Sequence, residues 1–475
     1  MTAGVGTKLY APQARLVDLQ SGTVIGATTT TSGGVSAPAI GADIVSVRVT
    51  LTNTGIGQLQ LTLNNQRSVG GLPVFPPWKY NDFSTARPRV DPSTGIAAIG
   101  FGQKLRLDLR YGDGPWIKMI IAQVTDLQFN FPASGSAQMQ VMGEDLLSLL
   151  KVKPERDKNY ERQQEEEIAE QIWNHVFTAA EQRPTFTTVS GAREREGRNQ
   201  PLGSVRHAKS MTYFQFLQDI ADRLDYEMHV EFKNSAAAGD ASVGQAASAT
   251  AQSDLQFFFE PARSSNPPVA TPQDGLDQAD GEFHYVLRWG RSLMEFTPKF
   301  KVFDQPSRAE AQGTVVGRRG RSSQQLSDSE TNDLFTRELP LSPNYGTLSM
   351  KSALQARQDY FEQLGVSGEN NESSSGSNLD EPRLKRKAVA AFLKRAREFM
   401  TAEAQVIGLP KLRPGMHVDV VGFRPPFDGY YYVTKTVHSL DASGYKTQLS
   451  LRRPGMLPPQ NYLDLPASAG AEATS

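Results

Sequence analysis

The side chains able to do chemistry are few and scattered. There are six histidines, His175, His207, His229, His284, His417 and His438, and no cysteine in 475 residues. Without thiols, disulfides, zinc–thiolate sites, iron–sulfur clusters and cysteine nucleophiles are excluded. No two histidines stand at a ligand spacing such as His-x-x-x-His, and no carboxylate cluster joins them. His417 and Asp419 share a strand face, as residues i and i+2 must. That is the first half of a triad, but strand alternation makes such pairs by default, and the expectation is a polar surface face. Nucleophile elbows need Gly-x-Ser-x-Gly; Gly365-Val-Ser-Gly and Gly239-Asp-Ala-Ser-Val-Gly have the wrong spacing. Gly55-Ile-Gly57 lacks the third glycine of a dinucleotide fingerprint, and there is no Walker loop. Glu144-Asp145 and Glu165-Glu-Glu167 open helices, where acidic side chains favour the positive end of the dipole. The expectation is no catalytic residue, no cofactor and no metal. A cell-wall hydrolase would need paired carboxylates, with Glu144 the position to test; an independent ligand-binding β module is a further alternative.

Charge points the same way. Lysine plus arginine total 50 against 51 aspartate plus glutamate, so no overall field attracts nucleic acid or an anionic surface. Arg318-Arg-Gly-Arg321 lies in a polar loop, and Lys385-Arg-Lys387 with Lys394-Arg395 lie opposite an apolar helix stripe. Solvated faces are expected, with no nucleic-acid partner. No apolar run approaches the roughly 18–20 residues of a membrane span, and Met1 to Leu9 lacks the layout of a signal peptide. The expected product is soluble and made in the cytoplasm.

The elements that could position any site are mostly strands. Ile44–Thr52, Gly57–Asn64 and Lys104–Tyr111 alternate apolar and polar residues, the period of a half-buried strand. Trp116–Ala122, Val124–Phe131 and Ala137–Gly143 follow as three more, predicting a barrel or sandwich, closed by a short helix over Glu144–Leu150. A charged linker, Lys151–Arg162, leads to helices over Glu165–Val176 and Thr212–Leu224, the second capped by Thr212. Strands over Tyr226–Phe232 and Leu255–Pro261 flank an Ala/Ser/Gly-rich segment, Ser235–Ser253, read as a mobile insertion. Phe283–Trp289 and Leu293–Phe303 are strands. Gly317–Asn344 and Ser367–Ser377 read as exposed loops, and Arg383–Met400 as an amphipathic helix with Leu384, Ala388, Phe392, Ala396 and Phe399 inward. Strands over Met416–Gly422, Gly429–His438 and Tyr445–Arg453 end the ordered pattern.

The last strands carry an identifying pattern. Gly408-Leu-Pro-Lys-Leu-Arg-Pro-Gly-Met-His-Val, Gly422, Asp428-Gly-Tyr-Tyr-Tyr-Val, Val437-His438 and Gly444-Tyr-Lys-Thr-Gln-Leu-Ser-Leu-Arg-Arg resemble the phage late control D family, the hub proteins of contractile tails, related to the hub half of type VI secretion spike proteins. Phe101 to Asp145, Met211 to Tyr226 and Leu293 to Phe300 are similar to that family in the same order. Pro414, Gly415, Gly422, Asp428, Gly429, Tyr430, Gly444 and Tyr445 are then structural turn positions, where hairpins need φ > 0 or a tight reversal.

The resemblance implies a mainly β fold with an α+β insertion: two tube-like β-barrel domains and a small α/β middle domain. The expected division is a first barrel over 1–150, the middle domain over 151–254 with its insertion at 235–253, and a second barrel over 255–316 and 401–453. Residues 317–400 are an insertion carrying flexible loops and the amphipathic helix 383–400, and 454–475 a flexible tail. The resemblance further implies a homotrimer whose paired barrels make a pseudo-sixfold ring in a virion tail baseplate. Its implied partners are a sixfold tail tube or tube initiator, a threefold central spike, other baseplate proteins and a tape-measure protein. The chain ends soon after the second barrel, so the spike is expected as a separate polypeptide.

Overall fold

The computed structural model describes residues 12–19, 24–25, 43–69, 72–78, 80, 99–111, 114–177, 184–188, 204–233, 254–262, 273–274, 285–301, 308–314, 321–325, 327, 330, 341–342, 346–347, 371–376, 381–424 and 426–454. The first six main strands are β1 (Pro12–Asp18), β2 (Ile44–Thr52), β3 (Gln58–Asn64), β4 (Lys104–Tyr111), β5 (Ile117–Asn130) and β6 (Gln138–Asp145). They lie in the order β2-β3-β6-β5-β4-β1, all neighbours antiparallel. Alternation buries one set of side chains, Val47, Val49, Leu59, Leu61, Leu63, Leu105, Leu107, Met139 and Val141 among them, in a first core.

Between the two β regions sits an α/β unit with its own core. Helices α1 (Glu165–Val176) and α2 (Tyr213–Leu224) pack beside β7 (Tyr226–Phe232) and β8 (Leu255–Pro261). Thr212 caps α2: its hydroxyl accepts from the Gln215 amide at 3.1 Å, and the Gln215 side chain accepts from the Thr212 amide at 3.1 Å. Asp225 ends the helix in the left-handed region at φ 57°, which lets β7 start at once. Trp173 stacks on Phe257 at 4.2 Å inside this core.

The second β region comprises β9 (Tyr285–Arg288), β10 (Leu293–Phe300), β11 (Met400–Ile407), β12 (His417–Val421), β13 (Gly429–Asp441) and β14 (Gly444–Arg453). Their order is β10-β11-β14-β13-β12-β9, again around a separate core. Helix α3 (Glu381–Ala396) enters β11, burying Leu384, Ala388, Phe392 and Ala396.

The architecture is thus mainly β, with two lobes and an α/β middle unit. Several local readings change. Trp116–Ala122 and Val124–Phe131 are one strand, β5, because a bulge at Thr125 bends it without ending it. The linker 151–162 contains a strand, Lys158–Glu161, paired with Ser204–His207. The helix expected from Glu144 starts at Leu146 as a 3₁₀ turn capped by Asp145. Strands Arg321–Gln325 and Asn371–Gly376 flank Arg308–Thr314 in segments read as loops or as second barrel. Leu255–Pro261 pairs with β7 in the middle unit and not with the second lobe. The 235–253 insertion, His284 and Arg318–Gly320 lie outside the described residues. Among those described, no helix is long and apolar enough to cross a membrane.

The two lobes are a repeat, which strand register makes explicit. β1 to β6 correspond to β9 to β14 in both chain order and spatial order. The bulge in β5 falls at Thr125 and that in β13 at Thr434. Each threonine hydroxyl donates to the carbonyl across the ladder, Met142 at 3.4 Å and Ser450 at 3.0 Å. Before β4, the Gly102 amide donates to the Val124 carbonyl at 2.9 Å; before β12, the Gly415 amide donates to the Val433 carbonyl at 2.8 Å. Both glycines hold left-handed φ, 74° and 87°, where a Cβ would be strained. Bulges in β2 and β10 fall at Val45 and Met294, each 45% exposed. One difference stands out: β1 runs antiparallel to β4, whereas β9 runs parallel to β12.

Candidate functional site

The structurally telling residues lie where the three parts meet. Beyond the bulge, β13 leaves β12 and pairs with β2 of the first lobe, Lys435 opposite Thr52 through Leu440 opposite Val47. One sheet therefore runs through both lobes. The tip of the β13–β14 hairpin brings Leu440 and Tyr445 into the first lobe's core.

A buried carboxylate locks the middle unit onto this joint. Glu227 of β7 accepts the Tyr432 hydroxyl at 2.6 and 2.7 Å and the Asn53 side-chain amide at 2.7 Å, with the Arg452 guanidinium 3.5 Å away. Asn53 belongs to the β2–β3 turn and Tyr432 to β13, so a single side chain ties together all three parts. The Met228 amide donates to the Asn53 carbonyl at 3.0 Å beside it. A buried charge is costly unless several donors face it; here three groups do. Burial first, and then the Glu227 charge, raise the Tyr432 hydroxyl well above its ordinary pKa, so it stays a donor.

A second joint uses Arg413, buried just before β12. Its guanidinium donates to the carbonyls of Pro410 and of Lys118 in the first lobe, each at 2.7 Å. Nearby, Tyr111 donates to the Gly408 carbonyl at 2.7 Å. Gly408 is indispensable there: a Cβ would collide with the Tyr445 ring and lie 2.6 Å from the Tyr111 hydroxyl. His438 bridges the Tyr445 hydroxyl at 2.9 Å and the Leu412 carbonyl at 3.1 Å. Burial, reinforced by Arg413, pushes its pKa well down and keeps the ring neutral.

The expected turn positions have these places. Gly422, Gly429 and Gly444 hold φ of 119°, 119° and 112°. Asp428 accepts the Phe423 amide at 2.7 Å, its carbonyl accepts Arg453 at 2.9 Å, and Tyr430 is buried. Pro414 lines a cleft between the first lobe and the middle unit, with Gly57, Asp145, His229, Glu231 and Arg413. Asp145 is held up at about 7 by burial, yet it accepts the Gly57 amide at 2.6 Å and the Leu147 amide at 2.9 Å. It is a cap between elements. Glu144, the carboxylate on which a hydrolase reading turns, is bound by Lys151 at 2.6 Å. Among the described residues, no group of three His, Asp or Glu is placed to hold a metal. His417 and Asp419 are buried, not on a surface face, because both faces of β12 are covered; His417 packs edge-on against Tyr432 at 5.3 Å. On the basic side of α3, Lys385, Lys394 and Arg395 are exposed, as expected of a solvated face; Lys394 reaches Asp222 at 3.1 Å, Arg386 approaches Glu165 at 3.9 Å, and Arg397 of the turn that follows is buried and pairs with Asp225.

The open sheet edges among the described residues include one on each lobe. β5 beyond Gln123 pairs only with β6, and β10 pairs only with β11.

No family model matches this sequence, and no curated protein does. Solved structures do match. A tail protein from Neisseria meningitidis MC58 aligns at 12% identity and a TM-score of 0.50, covering 95% of this chain and 99% of that one. The 43 kDa tail protein of prophage MuSo2 from Shewanella oneidensis aligns at 12% identity and a TM-score of 0.51, covering 94% and 99%. The fold is that of phage tail proteins, as the late control D resemblance implies.

Proposed function

We propose that this chain is a structural baseplate hub of a contractile phage tail or a phage-derived injection system, acting without catalysis. Its role is to adapt a sixfold tail tube to a threefold central spike. The observation that carries this reading is the repeat: one chain folds the same six-strand lobe twice and joins the two edge to edge in one sheet. Three chains then offer six similar lobes to a tube on one side, while keeping a threefold axis for a spike on the other. Tube or tube initiator, a separate spike protein, and other baseplate proteins are the partners this reading requires, in a virion tail assembled in the host cytoplasm. Light scattering on the purified protein tests it. A particle near three times the 52.1 kDa chain mass supports the reading; a monomer at every accessible concentration overturns it.

A further inference from the structure

The joint inside the chain defines half of a relation whose other half is unused. In the repeat, the outer part of β13 corresponds to the outer part of β5, and β2 corresponds to β10. The chain pairs β13 with β2. It does not pair β5 with β10. From this we infer that β5 of one copy adds to β10 of a second copy, continuing the sheet from chain to chain. The inference rests on the multi-copy reading above and specifies its contact.

Transferring the register of the internal joint fixes the new one. Lys435 opposite Thr52 becomes Asp126 opposite Lys301 of the next copy, and Val437 opposite Thr50 becomes Gln128 opposite Lys299. Leu127 then faces Phe300, Asn130 faces Thr297, and Phe131 lies opposite Phe296. The chemistry suits this ladder. Asp126 and Lys301 are opposite charges, Lys301 also holding Glu398 of its own chain at 2.7 Å; Leu127 with Phe300, and Phe131, which meets Trp78 of its own chain edge-on at 4.8 Å, with Phe296 are apolar pairs of the kind that stabilise antiparallel strands. Exposure agrees as well. Thr436, Val437, His438 and Leu440 are buried at the internal joint, whereas Leu127 and Phe129 are half-buried and Gln128 and Phe131 exposed. Phe131, 49% exposed, corresponds to Leu440, which sits in the first lobe's core. Pro298 carries no amide hydrogen and leaves the ladder at most one donor short.

Such a contact joins unlike surfaces, and repeats of it make either a closed ring or a filament. Three copies with two lobes each would alternate internal and external joints around one ring.

Engineered cysteines read this register against a chain that has none of its own. Gln128, Asn130, Thr297 and Lys299 are all exposed, so substitution there leaves the cores untouched. The variants Gln128→Cys/Lys299→Cys and Asn130→Cys/Thr297→Cys, mildly oxidised, are expected to give covalent two- and three-chain species that reducing agent dissolves. The out-of-register variant Gln128→Cys/Thr297→Cys is expected to give few. A trimer by mass in which neither in-register pair crosslinks, or in which all three variants crosslink alike, overturns the inference and leaves the hub reading standing. A chain that stays monomeric overturns both.

Discussion

The outer half of β13 and the outer half of β5 share a register, a bulge and a bridging threonine, and differ in what covers them. β13 lies against β2 and is buried. β5 presents the same kind of edge with no described strand on it. The lobes also divide space differently at matching positions. In the second, Gly408 faces the large Tyr445, its amide donating to the Tyr445 carbonyl at 3.0 Å; in the first, Asn65 faces the small Ala137, with the equivalent bond at 2.8 Å. Backbone hydrogen bonds are kept while side-chain sizes trade places. A repeat of this kind is preserved in its ladder and turns, and diverges wherever one lobe must receive the other.

Breaking the central lock separates the joint from the lobes most severely. Glu227→Ala strands the Tyr432 hydroxyl, the Asn53 amide and the Arg452 guanidinium in a buried site, and a loss of about 3–5 kcal/mol is expected in denaturant titration. Gly408→Ala comes next. Overpacking against Tyr445 should cost roughly 1–3 kcal/mol, whereas Asn65→Ala, at the matching position, adds no atoms and loses instead the bond that the Asn65 side chain accepts from the Tyr80 amide at 2.8 Å; thermal unfolding of each variant measures the cost.

Acid sharpens it further. His438 occupies the position of Phe129, and its pKa is depressed in the fold. Above about 6.5 it is neutral in both states and contributes no pH dependence. Below that the unfolded chain takes up a proton that the folded chain refuses, so stability falls by up to about 1.4 kcal/mol per pH unit. His438→Phe should remove this slope between roughly pH 6.5 and 5, even if its stability at neutral pH is lower. Smallest is the bulge pair. Thr434→Val, losing a bond at the covered joint, should cost about 1 kcal/mol, and Thr125→Val at the open edge under about 0.5 kcal/mol.

Much of the fold was legible because half-buried strands alternate. Ile44–Thr52, Lys104–Tyr111 and the helix capped by Thr212 follow directly from their patterns. β5 read as two strands because a bulge shifts the alternation by one residue, which looks like an interruption. Arg308–Thr314, Arg321–Gln325 and Asn371–Gly376 were illegible, having almost no apolar residues to alternate. The lock at Glu227 was hidden for another reason. Alternation through Tyr226, Met228 and Val230 puts Glu227 on what looks like the solvent face, and its partner Tyr432 lies 205 residues away. The repeat, which the family resemblance implies, was hidden in the residue patterns themselves. Matched positions share few residues, Gly102 with Gly415 and Thr125 with Thr434 among them, because a ladder constrains backbone bonds far more than side chains.

End-on electron micrographs of the assembled particle decide whether paired lobes build the ring. Class averages should show a threefold axis and six lobes of similar shape at nearly equal spacing around a central opening. Averages with no threefold axis, or with the two lobes of each chain at different radii and unlike in outline, would contradict it.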